Sequence, residues 1–148
     1  MDYKSVEELH EFWKNPGKSN DPKLYLKKSK RSEYLYRFVN QYAETDAKIM
    51  EPGCNVGRNL HHLYENGYQN LTGIEINEEA VDLMQQHYAD MAENIQVYNR
   101  SLENVLPKFK DHEFDLVVFN GCIRTYSYRQ RLGLRTNCSN NEITFDCD

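Results

Sequence analysis

An α/β fold built on an open, mainly parallel sheet is the class this sequence predicts, and three observations predict it. Short apolar runs at residues 49–50, 71–76, 95–98 and 114–120 alternate with stretches of helical apolar spacing. The first run leads into a loop with glycines at Gly53 and Gly57, followed by a helix-compatible stretch through Leu60, Leu63 and Tyr64. The second run carries an acid, Glu75, near its end. Right-handed crossovers between such strand-helix repeats give the sheet order 3-2-1-4, with helical segments ahead of the first strand.

Local chemistry accounts for each element in turn. Ser5, followed three residues later by Glu8, has the capping-box spacing, and Val6, Leu9, Phe12 and Trp13 then fall on one face of a helix over residues 5–15. The breaker cluster at residues 15–22 predicts a loop. Its Gly17-Lys18-Ser19 ends like a phosphate-binding loop, but no glycine stands five residues before Gly17 and no strand precedes it, so it reads as a polar linker. Tyr34, Leu35, Phe38, Val39 and Tyr42 predict a second helix over residues 33–42, and the basic run at 27–31 reads as solvated lysines beside a packed tyrosine face.

The glycine turn is the first segment with chemical content. A strand-to-helix turn brings bare N–H groups and a helix N-terminus close to a ligand, because glycine has no Cβ to hold the ligand off and tolerates positive φ. A carboxylate about 20 residues further on is where nucleotide-binding α/β domains place an acceptor for two ribose hydroxyls. Beyond Glu75, Asn77 is a good N-cap, with Glu78 and Glu79 in the first turn. Ala80, Leu83, Met84, His87 and Tyr88 form an apolar stripe ending near Met91, which reads as core. Residues 95–98 alternate as a third strand, and residues 114–120 form a near-continuous apolar run suited to a strand buried on both faces.

Composition excludes several classes of function. With 18 basic and 23 acidic residues, a net charge of −5, the chain offers no general attraction for nucleic acid. Cys54, Cys122, Cys138 and Cys147 form no C-x-x-C pair, and His61, His62 and His87 have no partner at metal spacing, so no metal site is expected and a reduced, cytoplasmic setting is. No apolar run reaches the length of a membrane span and residues 1–4 lack a signal peptide's apolar region, so a soluble protein is expected.

The stretch Glu51-Pro52-Gly53-Cys54-Asn55-Val56-Gly57-Arg58-Asn59, together with Glu75, resembles motif I and the ribose-binding acid of the class I S-adenosylmethionine-dependent methyltransferases. In that family the consensus runs roughly E/D-x-G-C-G-x-G-x-x, and Asn55 stands here in place of its middle glycine. Asparagine tolerates the left-handed region better than most residues, so the turn survives the exchange. Phe114-Asp115-Leu116-Val117 resembles the family's F-D-x-V strand almost letter for letter.

The resemblance implies a Rossmann-like methyltransferase sheet, incomplete, comprising strands 1–4 with flanking helices. Residues 1–45 would form an N-terminal helical cap that serves as a lid, and residues 46–120 the S-adenosylmethionine-binding core. It implies S-adenosylmethionine as cofactor, held by Glu51, Gly53, Cys54, Asn55, Gly57, Asn59, Glu75 and Ile76. Ser101 and Leu102 would flank the adenine, although aspartate is commoner at the first, and Asn120 would close the end of the fourth strand. The methyl acceptor is unidentified, a small molecule rather than a macromolecule, and no general base can be named.

Residues 121–148 leave the family pattern, show no sustained helix or strand period, and would leave the fourth strand as a sheet edge. Read one nucleotide later, synonymous codons for this tail can spell V-L-E-H-I, a segment many of these enzymes carry after the fourth strand. That match points to a truncated, frameshifted chain. The two competing readings are a non-catalytic fragment and an NAD-type oxidoreductase domain, the latter disfavoured because G-x-G-x-x-G is absent.

Overall fold

The computed structural model describes residues 5–27, 29–119 and the backbone of residues 122–124. Strand β1 (Ile49–Pro52) pairs in parallel with β2 (Leu71–Ile74) on one side and with β4 (Leu116–Phe119) on the other. Strand β3 (Gln96–Tyr98) extends the sheet beyond β2 in parallel, and β5 (Cys122–Arg124) runs antiparallel to β4. The order is β3-β2-β1-β4-β5. Every residue of β1 and β2 is buried, as expected of parallel strands covered on both faces. Pro52 stands opposite Ile74, so the turn after β1 and the acid after β2 emerge side by side from one sheet end.

The expected order 3-2-1-4 is present, but β4 is not an edge. Phe119 pairs with Cys122, leaving two positions, Asn120 and Gly121 in sequence, between the paired ends. Asn-Gly between two strands is the strongest short-range hairpin signal, and a three-residue strand is too short to display a period. Asn120 itself, and the tail beyond residue 124, lie outside the described residues.

Helices α3 (Arg58–Glu65), α4 (Glu78–His87) and α5 (Ala89–Asn94) follow β1 and β2, and α6 (Leu102–Val105) follows β3. The apolar stripe expected from 80 to 91 is divided at Tyr88 between α4 and α5. The two faces of the sheet carry different cores. Ile49, Leu71, Leu116 and Val118 pack with Leu35, Val39, Leu60, Leu63 and Met84, whereas Met50, Ile74 and Val117 pack with Val105. Consecutive residues such as Val117 and Val118 thus serve opposite cores, as strand pleating requires.

Ahead of the sheet lie α1 (Val6–Lys14) and α2 (Lys30–Tyr42). The capping box of α1 is formed: Glu8 N–H donates to Ser5 Oγ at 3.2 Å and Ser5 N–H to Glu8 Oε2 at 2.7 Å. Helix α2 begins three residues before the expected start because Ser29 caps it, accepting from Arg31 N–H at 3.1 Å. The linker is not wholly irregular, since 3-10 turns occupy Lys18–Asn20 and Pro22–Leu26, the second capped by Asp21. The tyrosine face beside the basic run is only partly packed: Tyr36 joins the core, but Tyr34 is 66% exposed. Among the described residues no helix is long and apolar enough to cross a membrane, and no group of three or more His, Cys, Asp or Glu could hold a metal.

Candidate functional site

Three left-handed residues shape the turn after β1: Gly53 at φ 66°, Asn55 at 51° and Gly57 at 71°. Glycine occupies two of them without strain, and asparagine is among the residues that tolerate the third. Gly53 and Cys54 N–H both donate to the Ile74 carbonyl, at 2.7 and 3.1 Å, which ties the turn to the end of β2. Asn55 adds its own brace, its Oδ1 accepting from Val56 N–H at 2.8 Å. The two glycines differ in surroundings. A Cβ on Gly53 would meet nothing within 4 Å, so the surface there is open, whereas one on Gly57 would sit 2.9 Å from Met84 Cε.

Glu75, buried at the end of β2, faces this turn. Its Oε2 accepts from Asn55 N–H at 2.7 Å and its Oε1 from Asn77 N–H at 2.9 Å. Burial raises its pKa, opposed by backbone N–H donors from Asn77, Asn55 and Ile76. A carboxylate offers about four acceptor positions, so with three backbone donors in place one remains. Asn99 Nδ2 donates to the Glu75 carbonyl at 2.9 Å and links the end of β3 to the same place.

Glu51 is the most deeply buried carboxyl group among the described residues, 1% exposed. Burial pushes its carboxyl up to about 8, with Glu75 adding to the rise and Asn59 and Arg58 opposing it. Oε1 accepts from Asn59 Nδ2 at 2.7 Å. Oε2 is the single buried side-chain N or O atom without a hydrogen-bond partner among the described residues. Cys54 is buried within reach of both carboxylates' fields, and its thiol is held well above its usual range, first by burial and then by Glu51 and Glu75. It is a packing residue and not a nucleophile.

The sequence-selected residues therefore gather at one sheet end: Glu51, Gly53, Cys54, Asn55, Gly57 and Asn59 from β1 and its turn, and Glu75 and Ile76 from the end of β2. Ser101 is buried at the N-cap of α6, accepting from Asn104 Nδ2 at 2.9 Å, and Leu102, half-buried, packs under the sheet with Tyr98. Asn120 lies outside the described residues.

Two further contacts bring α1 across these loops. Asn77 Nδ2 donates to the Trp13 carbonyl at 3.2 Å, and His10 Nε2 lies 3.2 Å from Glu103 Oε2. Ser32, Arg58 and Asn99 were not singled out as site residues. Ser32 meets Asn59 at 2.7 Å across 27 positions of sequence, which no local pattern reveals, whereas Asn99 at the end of a strand was visible.

A family model described as a methyltransferase domain matches residues 49–139. No match is found among curated proteins. Similar solved structures include magnesium protoporphyrin IX methyltransferase (ChlM) from Synechocystis PCC 6803 with bound SAM, at 13% identity and TM-score 0.58, covering 75% of this chain and 59% of that one. An SAM-dependent methyltransferase from Thiobacillus denitrificans in complex with S-adenosyl-L-homocysteine matches at 14% identity and TM-score 0.52, over 82% of this chain and 45% of that one. The O-methyltransferase TomG from Streptomyces achromogenes matches at 17% and 0.51, over 63% and 44%. At such identities the likeness is one of fold, and the chain spans about half the length of these structures. Because the family match takes in more than half of the sequence, with the whole glycine turn and strands β1 to β4, the chain belongs to the methyltransferase-domain family and shares the fold of these S-adenosylmethionine-dependent methyltransferase structures.

Proposed function

We propose that the end of the sheet between β1, β2 and β3 binds S-adenosylmethionine and that the protein transfers its methyl group to a small-molecule acceptor in a reduced, cytoplasmic setting. The observation that carries the reading is the unpartnered, buried Oε2 of Glu51 beside the open backbone of Gly53. A buried acceptor without a donor costs roughly 1–3 kcal/mol, and a cationic ammonium is the natural group to meet it. The donor set therefore fits a cofactor with a positively charged amino-acid end and a ribose.

Each residue has a part in that arrangement. Glu51 and Asn59 hold the amino-acid end, Gly53 lets the backbone approach, and Cys54, Asn55 and Gly57 set the turn. The acceptor position left on Glu75 takes a ribose hydroxyl, and Ile76 packs beside the adenine, flanked by Ser101 and Leu102. Asn120 is proposed for the same edge. Bound there, S-adenosylmethionine supplies a methyl activated by a sulfonium whose leaving group is a neutral thioether. What the protein adds is orientation and exclusion of water, and helix α1, tied across the β2 and β3 loops, is placed to contribute both.

Transfer of tritiated methyl from labelled cofactor into small-molecule fractions of a cell extract tests the proposal. Label entering low-molecular-mass products is the expected result, and none entering any fraction rejects the catalytic part. A second reading is a fragment that binds the cofactor without turnover. Binding of S-adenosylhomocysteine without label transfer would select it.

A further inference from the structure

A line of hydrogen bonds leads from helix α2 into the candidate donor site, and every bond in it points one way. Arg58 Nε donates to Ser32 Oγ at 3.2 Å, Ser32 Oγ to Asn59 Oδ1 at 2.7 Å, and Asn59 Nδ2 to Glu51 Oε1 at 2.7 Å. The direction follows from chemistry. Arginine has only donors, so Ser32 receives from it and has one proton left, which goes to the Asn59 carbonyl. The Asn59 amide is thereby oriented with its NH2 toward Glu51. Without that hydroxyl the two ends of the amide are nearly equivalent, and the opposite orientation would set Oδ1 against the carboxylate.

We propose that Ser32 is a positioning residue for methyl-donor binding: its hydroxyl fixes the Asn59 amide, which holds Glu51 Oε1 and leaves Oε2 free for the positive end of the cofactor. The inference rests on the donor-site reading above and adds to it a residue 19 positions ahead of Glu51 in sequence. It also gives α2 a part in cofactor affinity beyond covering the sheet. Ser32 is 4% exposed, on the buried side of α2 with Leu35 and Val39, so its hydroxyl has no water to turn to. Burial acts most strongly on Glu51, against its ionised form; the Asn59 amide and Arg58 favour that form, and Glu75 opposes it.

The role has a signature that packing alone does not. With Asn59 Oδ1 turned toward it, Glu51 must carry a proton to make the contact, so it ionises at higher pH. S-adenosylhomocysteine affinity, measured by calorimetry from pH 6 to 9.5, should rise with pH in the wild type and level off near pH 8. In Ser32→Ala the levelling should move up by about one pH unit, with binding roughly tenfold weaker at pH 7 and within about twofold of wild type at pH 9.5. Ser32→Thr, which keeps the hydroxyl, should restore the wild-type profile, and Ser32→Ala should add nothing in an Asn59→Leu background.

A loss equal at every pH, or additive with Asn59→Leu, overturns the proposal. Should Ser32→Ala fail to fold, the wild type still decides the matter: the Asn59 side-chain amide protons should exchange slowly by NMR and shift when ligand is added, and fast-exchanging, unmoved signals refute the role. Wild-type protein that binds no ligand at any pH overturns the donor-site reading. Wild-type protein that binds while Ser32→Ala matches it throughout overturns only the role of Ser32.

Discussion

Glu75 and Glu51 are both buried acids, yet their settings demand different tests. Both oxygens of Glu75 are already held by backbone N–H groups, so Ala at this position removes the proposed ligand contact and also frees Asn55 and Asn77. Glu75→Ala is expected to lose about 1.5–3 kcal/mol of S-adenosylhomocysteine affinity, the scale of hydrogen bonds to a charged group, and unchanged affinity by calorimetry would exclude the ribose role. Gly53→Val places a branched side chain at φ 66° in the open space above the turn. It should abolish binding while far-ultraviolet circular dichroism stays near wild type, and retained binding would show that the backbone is not approached there.

The expectation for Glu51 concerns stability. With its carboxyl lifted by burial from its ordinary 4.5 to about 8, the folded state keeps a proton that the unfolded state has released between those values. Stability should therefore be greatest below about pH 4.5 as far as this group is concerned, fall as pH rises through the window by up to ~1.4 kcal/mol per pH unit, and flatten above about 8. Glu51→Gln cannot ionise and should lose most of that slope in urea unfolding at successive pH values; an unaltered slope would place the titration elsewhere. Much of this site was legible in sequence because the glycines, Asn55 and Glu75 act through backbone geometry at fixed spacing. The hydrogen bond of Ser32 was not, since it depends on two side chains meeting across 27 positions of sequence.

Among the elements, α1 departs furthest from what an amphipathic helix normally does. Its apolar face is on the expected side, but no residue of the helix is buried, and Trp13 and Leu9 remain 49% and 42% exposed. Periodicity reveals which side chains share a face and not whether anything covers that face. The helix is held by its ends of contact, Trp13 carbonyl to Asn77 and His10 to Glu103, directly over the loops proposed for the cofactor. Trp13 is the one tryptophan of the chain, so its fluorescence reports on this helix alone. Addition of S-adenosylhomocysteine should shift its emission to the blue as the face becomes covered. Trp13→Ala should weaken binding while changing folding stability by no more than about 0.5 kcal/mol, as for an exposed site. An emission spectrum indifferent to saturating ligand would dissociate α1 from the site.

For the molecule as a whole, the parallel core β3-β2-β1-β4 was readable because buried strands announce themselves as apolar runs separated by helix-length stretches. The last strand was not, because three residues carry no period and its evidence lay in the Asn-Gly pair before it. That strand changes what is expected of the fold's stability. With β5 paired through Val117 to Arg124, Val118 to Ile123 and Phe119 to Cys122, β4 has a neighbour on each side. Without it, β4 would present unpaired N–H and C=O groups next to Val117 and Val118, a template for pairing with another chain. A stop codon placed after Phe119 should therefore lower the thermal midpoint and promote concentration-dependent aggregation relative to the 148-residue chain. Amide exchange supplies the complementary measurement: protection at Cys122 and Arg124 should rise and fall with that of β4. A truncated chain as stable and monomeric as its parent, by scanning calorimetry and light scattering, would mean that β5 contributes nothing to closing the sheet.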